Sequence, residues 1–325
     1  MDEMNKEQPM NRAEFWKNRT VLVTGSEGFV GKWLVKRLEA LEANVIEMDI
    51  TGTWGDVRDR NHIRGNLPYD AKTVFHLAAV SQVKSANTDP ANAFDHNIRG
   101  TWTLLDTLRE FPSVEQTIVA SSDKAYSESP TLPYTENTPL RGIYPYDCSK
   151  ACTDLIAQCY AKSYGLPIAI ARMGNIYGGG DLNWNRIVPS TIRAVLQGKN
   201  PVIRSDGTPI RDYFYVEDAV EAYLSLAEGL AEGTIKPGEA FNFSNDEPVS
   251  VQEIVFRTMA AISWDDIQTS FAKIDIRNEA SNEIQAQHLS SKKARARLGW
   301  TPSYSLVEGL KRTVEWYRNF LKEQS

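Results

Sequence analysis

The stretch TVLVTGSEGFVGKWL, residues 20–34, constrains this chain more than any other. A short apolar run closes on Gly25, and Phe29, Val30, Trp33, Leu34 and Leu38 then recur at helical spacing, so the order is strand, tight turn, helix. Gly25, Gly28 and Gly31 lie in that turn, where missing side chains let a pyrophosphate approach the backbone N–H groups and the positive end of the helix dipole. Glycine also serves simple strand-to-helix packing, so the spacing alone is a weak signal. Four further apolar runs follow: ANVIEMDI (43–50), TVFHLAAV (73–80), QTIVASS (116–122) and PIAIARMG (167–174). Helical stretches near 91–110 and 146–163 separate them. Strands rich in Val, Ile and Ala that alternate with helices predict a doubly wound parallel sheet covered on both faces.

The fold class expected is therefore α/β, a Rossmann-type sheet with a smaller mixed α/β C-terminal domain. After Gly174 the texture changes to GNIYGGGDLNWNR, which places the boundary there: residues 1–175 bind a dinucleotide and residues 176–325 a substrate. The cut is not clean. VEDAVEAYLSLAEG (216–229) reads as a helix and EAFNFS (239–244) as a strand, so 211–245 partly returns to the first domain. Asp49 falls 24 residues after Gly25 at the end of the second strand, where a carboxylate accepts hydrogen bonds from ribose hydroxyls and repels a 2′-phosphate. NAD is expected over NADP. Asp56 and Val57 in GDVRD read either as an adenine clamp or as ordinary loop residues. Leu77, Ala78 and Ala79 suit a strand passing a cofactor, although core packing explains them too.

A net charge of -6 argues against a nucleic-acid or anionic-membrane partner held by bulk charge, while a few local Arg could still grip a small phosphorylated ligand. No apolar run approaches the ~20 residues a membrane span needs. The opening MDEMNKEQPMNRAEFWKNR lacks a stretch of signal-peptide type, which predicts a cytoplasmic protein. Cys148, Cys152 and Cys159 are too few and too close for a disulfide framework and are expected to be core thiols of one helix. The four His are scattered, and no metal site is expected.

YDCSK places Tyr146 and Lys150 at i and i+4, on one helix face. A tyrosine is a poor base at neutral pH, but a nearby ammonium and an oxidised nicotinamide both favour its phenolate. Ser122, at the end of the fourth strand, supplies a hydroxyl to orient the same substrate oxygen. We also count Phe29, Val30, Ile50 and Asn97 among the cofactor contacts and Ser81 among the substrate contacts.

TGSEGFVG, FHLAAVS, the Ser122, Tyr146, Lys150 set, GNIYGGGD, RDYFYVEDAVEAY and LGWTPSYSLVEGLKRTVEWY together resemble the extended short-chain dehydrogenase/reductase family, the NAD-dependent sugar-nucleotide epimerases and dehydratases. The resemblance covers roughly residues 18 to 318. It implies a nucleotide-diphosphate sugar substrate, with Asn175 at the diphosphate, Arg211 at a phosphate and Arg186 in the segment that shapes the nucleotide pocket. For Arg211 a surface ion pair with Asp212 or Glu217 is the alternative. The resemblance further implies a homodimer built on the helices near 91–110 and 146–163, with the three cysteines on or near that interface.

SSDKAYSESP (121–130) adds Asp123 and Lys124 to Ser122. A 4-epimerase has no use for a further acid and base. A 4,6-dehydratase needs both, one to remove the C5 proton and one to protonate the leaving C6 hydroxyl. The dTDP-glucose enzymes carry Asp-Glu here, whereas Asp-Lys is similar to the CDP-glucose 4,6-dehydratases and to the C5-inverting UDP-sugar dehydratases, and GNIYGGGDLNWNRIVP looks more like the CDP-glucose enzymes. The segment RNEASNEIQAQHLSSKKA lacks the arginine pattern of the dTDP-glucose enzymes. A lysine base must be neutral, which desolvation and the cationic Lys150 would favour; an Asp123–Lys124 ion pair is the competing expectation. A 4-epimerase and a non-catalytic NAD-binding scaffold remain as alternatives.

Overall fold

Successive residues of a strand face opposite sides of the sheet, and this chain uses both sides for apolar burial. In the computed structural model the first five strands are β1 (Thr20–Thr24), β2 (Asn44–Met48), β3 (Thr73–His76), β4 (Gln116–Ala120) and β5 (Ile168–Met173). Val21, Val23, Phe75, Ile118, Ala169 and Ala171 point to one face, and Leu22, Val74, Val119, Ile168 and Ile170 to the other. The helices Phe29–Ala40 and Val216–Ala231 and the buried Trp16 cover the first face; Gly100–Leu108 and Pro145–Tyr164 cover the second. The structure describes residues 11–52, 55–263, 273–279 and 284–324. What the sequence suggests for residues 1–10, and for 280–283 of the RNEASNEIQAQHLSSKKA segment, lies outside the described residues.

Among the described residues eight further strands follow: β6 (Asn175–Tyr177), β7 (Val202–Ile203), β8 (Ile210–Arg211), β9 (Tyr213–Tyr215), β10 (Ala240–Phe243), β11 (Val249–Ser250), β12 (Asp275–Ile276) and β13 (Ala286–Gln287). β10 leaves the second half and pairs in parallel with β5, giving the order β10-β5-β4-β3-β1-β2 with every neighbouring pair parallel. The α/β class and the strand at 239–244 read from the sequence are both present. The chain turns back on itself between β1 and β3, the switch point where ligands settle in open α/β sheets.

The later strands form small sheets, β6 with β9, β7 with β12, and β8 between β11 and β13. Around them Val188, Ile192, Ile254, Leu310, Val314 and Tyr317 bury a separate apolar cluster. Two sequence expectations need correction. The third strand ends at His76 rather than 80, so Leu77 to Ala79 form the loop beyond it. The three cysteines do share the helix Pro145–Tyr164, but they are not core thiols: Cys148 and Cys152 are half-buried and Cys159 is exposed, because the sheet-facing positions are held by Ala157 and Ala161. Among the described residues no helix is long and apolar enough to cross a membrane.

Candidate functional site

Above the switch point lies a cleft of about 1050 Å³. Gly25, Gly28, Phe29, Val30 and Gly31 line its floor, and Gly28 caps the helix Phe29–Ala40 without a side-chain hydrogen bond, leaving the first-turn N–H groups to a ligand. Gly25 has φ +73, and a Cβ there would meet the Ala78 backbone N at 2.7 Å. A Cβ on Gly31 would come within 2.1 Å of the Gly25 carbonyl oxygen. Only glycine lets strand, turn and helix close to this distance.

Asp49 and Ile50 lie beside the turn in the same cleft. The Asp49 carboxylate accepts from Glu27 N at 3.1 Å and from Thr51 N at 3.0 Å, which aims it beside the glycine turn. Asp56 and Val57 line the cleft as well, and Asp56 is gripped by Arg58, with Nε to Oδ1 at 2.9 Å and to Oδ2 at 2.8 Å. That pairing holds the Asp56 carboxyl below its ordinary range. Leu77, Ala78, Ala79 and Ser81 complete the wall. Cradle, free helix amides and carboxylate fit a dinucleotide.

Asn97 does not join this lining. It is buried in a π-helical turn, Asp95–Arg99, one layer behind. Its Oδ1 accepts from Val80 N at 2.7 Å, and its Nδ2 donates to the Val80 carbonyl at 3.1 Å and to Ser149 Oγ at 2.8 Å. Ser149 in turn donates to the Tyr146 carbonyl at 2.7 Å. Asn97 thus braces the loop after β3 against the helix that carries Tyr146.

Ser122, Tyr146 and Lys150 meet at the far end of the cleft. Lys150 Nζ donates to the Ala120 carbonyl at 2.9 Å, so the lysine is tied to the end of β4. Burial lowers Lys150 to about 8, opposed by Asp154. Tyr146 is 8% exposed, and burial pushes its hydroxyl up to about 12 while Arg186 and a hydrogen bond with Ser122 pull it down. The cation that favours the phenolate here is Arg186 rather than the expected Lys150, and desolvation outweighs it.

Asp123 and Lys124 begin a short 3-10 turn directly after Ser122. Ser122 Oγ donates to Asp123 Oδ1 at 3.0 Å, and Asp123 Oδ2 has no hydrogen-bond partner among the described residues. Lys124 Nζ stands 3.7 Å from that oxygen, beyond hydrogen-bond reach, and donates instead to Gln287 Oε1. Burial is the main influence on Lys124 and lowers it; Asp123 and Asp147 oppose, and the cation that pushes the same way as burial is Arg211 rather than Lys150.

A second cleft of about 770 Å³ opens where Lys124, Asn175 and Arg186 line both. It takes in Arg204, Arg211, Asp147 and Gln287. Arg186 caps the helix Ile187–Leu196 and donates to Asp181 at 3.0 Å; Asn175 opens β6 and donates to the Asp212 carbonyl at 3.2 Å. Glu217 is engaged by Tyr304 and Arg312, and Asp212 accepts from Leu289 N. Three residues of this arrangement escaped the sequence reading. Asp147, raised to about 6 by burial, sits inside YDCSK and could have been noticed there. Arg204 and Gln287 carry no local signal. Among the described residues no group of His, Cys, Asp or Glu is arranged to hold a metal ion.

Sheet order and site together place the chain among the short-chain dehydrogenase/reductase enzymes. More narrowly, residues 21–243 match the model of the NAD dependent epimerase/dehydratase family; the chain belongs to that family, whose cofactor is NAD. A CDP-glucose 4,6-dehydratase from Salmonella typhimurium is 28% identical over 338 residues, covering 95% of this chain and 93% of its own. Among solved structures, a UDP-glucose 4-epimerase from Thermotoga maritima with UDP-glucose superposes with a TM-score of 0.83 at 27% identity, covering 93% of this chain and 99% of its own. A dTDP-glucose 4,6-dehydratase from Streptomyces venezuelae with NAD and TYD bound gives 0.78 at 25% identity, covering 92% and 97%.

Proposed function

We propose that this chain is a nucleotide-sugar 4,6-dehydratase, acting on CDP-glucose to give CDP-4-keto-6-deoxyglucose. The observation that carries the reading is Lys124: a lysine at the junction of the two clefts, bonded to an amide instead of a carboxylate and lowered by burial. An epimerase has no role for such an amine. The domain of residues 1–175 holds the dinucleotide and that of 176–325 the sugar nucleotide, its diphosphate facing Asn175, Arg186 and Arg211.

NAD supplies a hydride acceptor for C4 and a hydride donor for C6. Tyr146 takes the proton of the C4 hydroxyl, oriented by Ser122, while Arg186 and the Ser122 hydrogen bond oppose the burial that holds its own proton and Lys150, tied to the end of β4, stands one helical turn away. The resulting 4-ketone acidifies the C5 hydrogen, which Lys124 removes as its neutral amine. Asp123, entering the step in its acid form, gives that proton to the C6 hydroxyl so that it departs as water, and recovers one from Tyr146 through Ser122, which is hydrogen-bonded to both. Lys124 then returns its proton to C5. Nothing is consumed but the hexose, so the cofactor is regenerated in each turnover.

The test is a screen of CDP-, dTDP-, GDP- and UDP-hexoses with the purified protein. An alkali-labile 4-keto-6-deoxy chromophore with CDP-glucose is the expected result. Simple interconversion of C4 epimers, without that chromophore, would replace this reading with the epimerase.

The same protein is expected to be a homodimer. Cys148, Cys152, Leu155 and Cys159 recur at helix spacing on the outward side of Pro145–Tyr164, and Trp102 on Gly100–Leu108 is 45% exposed. A second copy laid against these helices would cover that apolar stripe. Light scattering at micromolar concentration should give twice the chain mass, and a monomer would refute it.

A further inference from the structure

We infer that Gln287 is the positioning residue of Lys124, an amide that takes the lysine's hydrogen bond and thereby holds Asp123 at the longer range of a 3.7 Å ionic contact, short of a direct hydrogen bond. The inference rests on the reading of Lys124 as the C5 base. Gln287 is fully buried, and both ends of its side chain are used. Oε1 accepts from Lys124 Nζ, and Nε2 donates to the Asp123 carbonyl at 3.2 Å. The second bond decides which end of the amide faces the lysine, because only the NH2 end can donate to a carbonyl.

The backbone under Gln287 is held from two directions. β13 pairs with β8, setting Gln287 opposite Arg211, and the next residues are pinned by Tyr134 N donating to His288 O at 2.9 Å and Ser290 N to Tyr134 O at 2.9 Å. One strand pair therefore delivers the acceptor for Lys124 and the cation, Arg211, that disfavours its protonation. The chemistry of the acceptor matters. A neutral amide oxygen accepts from an amine or an ammonium, whereas a carboxylate strongly favours the ammonium. Asp123 Oδ2, unbonded and 3.7 Å from Nζ, is the carboxylate that Lys124 would otherwise take. Asp147 and Asp123 both favour the charged form, burial and Arg211 the neutral one, and Gln287 leaves that balance undisturbed while fixing the amine in the cleft.

The experiment follows the Lys124 side-chain carbon resonance through a pH titration in protein labelled with 13C-lysine, assigned by its loss in Lys124→Met. In the wild type the midpoint should lie below that of an ordinary lysine. Gln287→Met removes the acceptor and lets Nζ close on Asp123, and Gln287→Glu supplies a carboxylate in its place; both should raise the midpoint. The amine fraction at neutral pH then falls about tenfold for each unit of rise. With substrate, C5 proton exchange with solvent should shift to higher pH by the same amount, and Gln287→Asn should fall between. An ordinary wild-type midpoint overturns the inference without any variant. So does an unchanged midpoint in either folded variant. If the midpoints move but no nucleotide sugar exchanges at C5, the dehydratase reading fails and the positioning stands; exchange with an unchanged pH profile gives the reverse.

Discussion

Lys124→Met should still oxidise the sugar at C4 and stop there. The absorbance of reduced cofactor should appear on mixing with substrate, while exchange of the C5 proton and release of the 4-keto-6-deoxy product fall by ~10²–10⁴-fold, the usual cost of losing a general base. Tyr146→Phe should remove both signals, because the C4 hydroxyl proton then has no acceptor and nothing downstream can begin. The separation follows from the layout of the cleft. Tyr146 and Lys150 stand on one helix and Lys150 is tied to the end of β4, whereas Lys124 is held by Gln287 from the other half of the chain. Rapid-mixing absorbance and deuterium incorporation at C5 read the two steps independently. Wild-type turnover by Lys124→Met and by Asp123→Asn would leave those residues as loop residues and return the chain to the epimerases.

Gly31→Ala should abolish cofactor binding and destabilise the protein by about 3 kcal/mol, the upper part of the range for overpacking a tight site. The new Cβ would lie 2.1 Å from the Gly25 carbonyl oxygen and 2.8 Å from that of Ser26, both backbone atoms that cannot swing aside. The turn must open, which withdraws the helix N–H groups from the cleft. Gly65→Ala is the matched control. Gly65 lies in the helix Arg60–Asn66, where a Cβ would meet open space, and alanine is favoured there by about 1 kcal/mol. One substitution type thus gains stability at one glycine and loses it at another. Urea denaturation and NAD titration of the two variants check both signs.

Much of this layout was legible because it is written locally. The glycine turn, the i and i+4 pair Tyr146 and Lys150, and the alternation of buried strands each lie within one short stretch. Even β10 could be anticipated, since AFNF is apolar enough to need a place in a sheet. What could not be read depends on tertiary neighbours. Asn97 was expected at the cofactor and proves to hold Val80 and Ser149, a role set by the π-helical turn that rotates it inward. The cysteines looked buried because Cys so often is, and only the packing of Ala157 and Ala161 shows that the opposite helix face meets the sheet. Trp16 carries no expectation from its local sequence, yet it is fully buried and its Nε1 donates to Glu228 at 2.8 Å. Lys124 can be read as a base or as half of an ion pair, and the amide that shares it with Asp123, Gln287, lies 163 residues away.

That separation has a consequence for how the protein is made. A ribosome delivers β1 to β5 first, and β5 must wait for β10 while its edge stays open to pairing with another nascent chain. Lys124 waits longer still, until Gln287, 163 residues downstream, has emerged. A chain interrupted between β5 and β10 would lack the acceptor of Lys124 and the β10 neighbour of β5 alike, so the proposed elimination would require synthesis to reach at least Gln287.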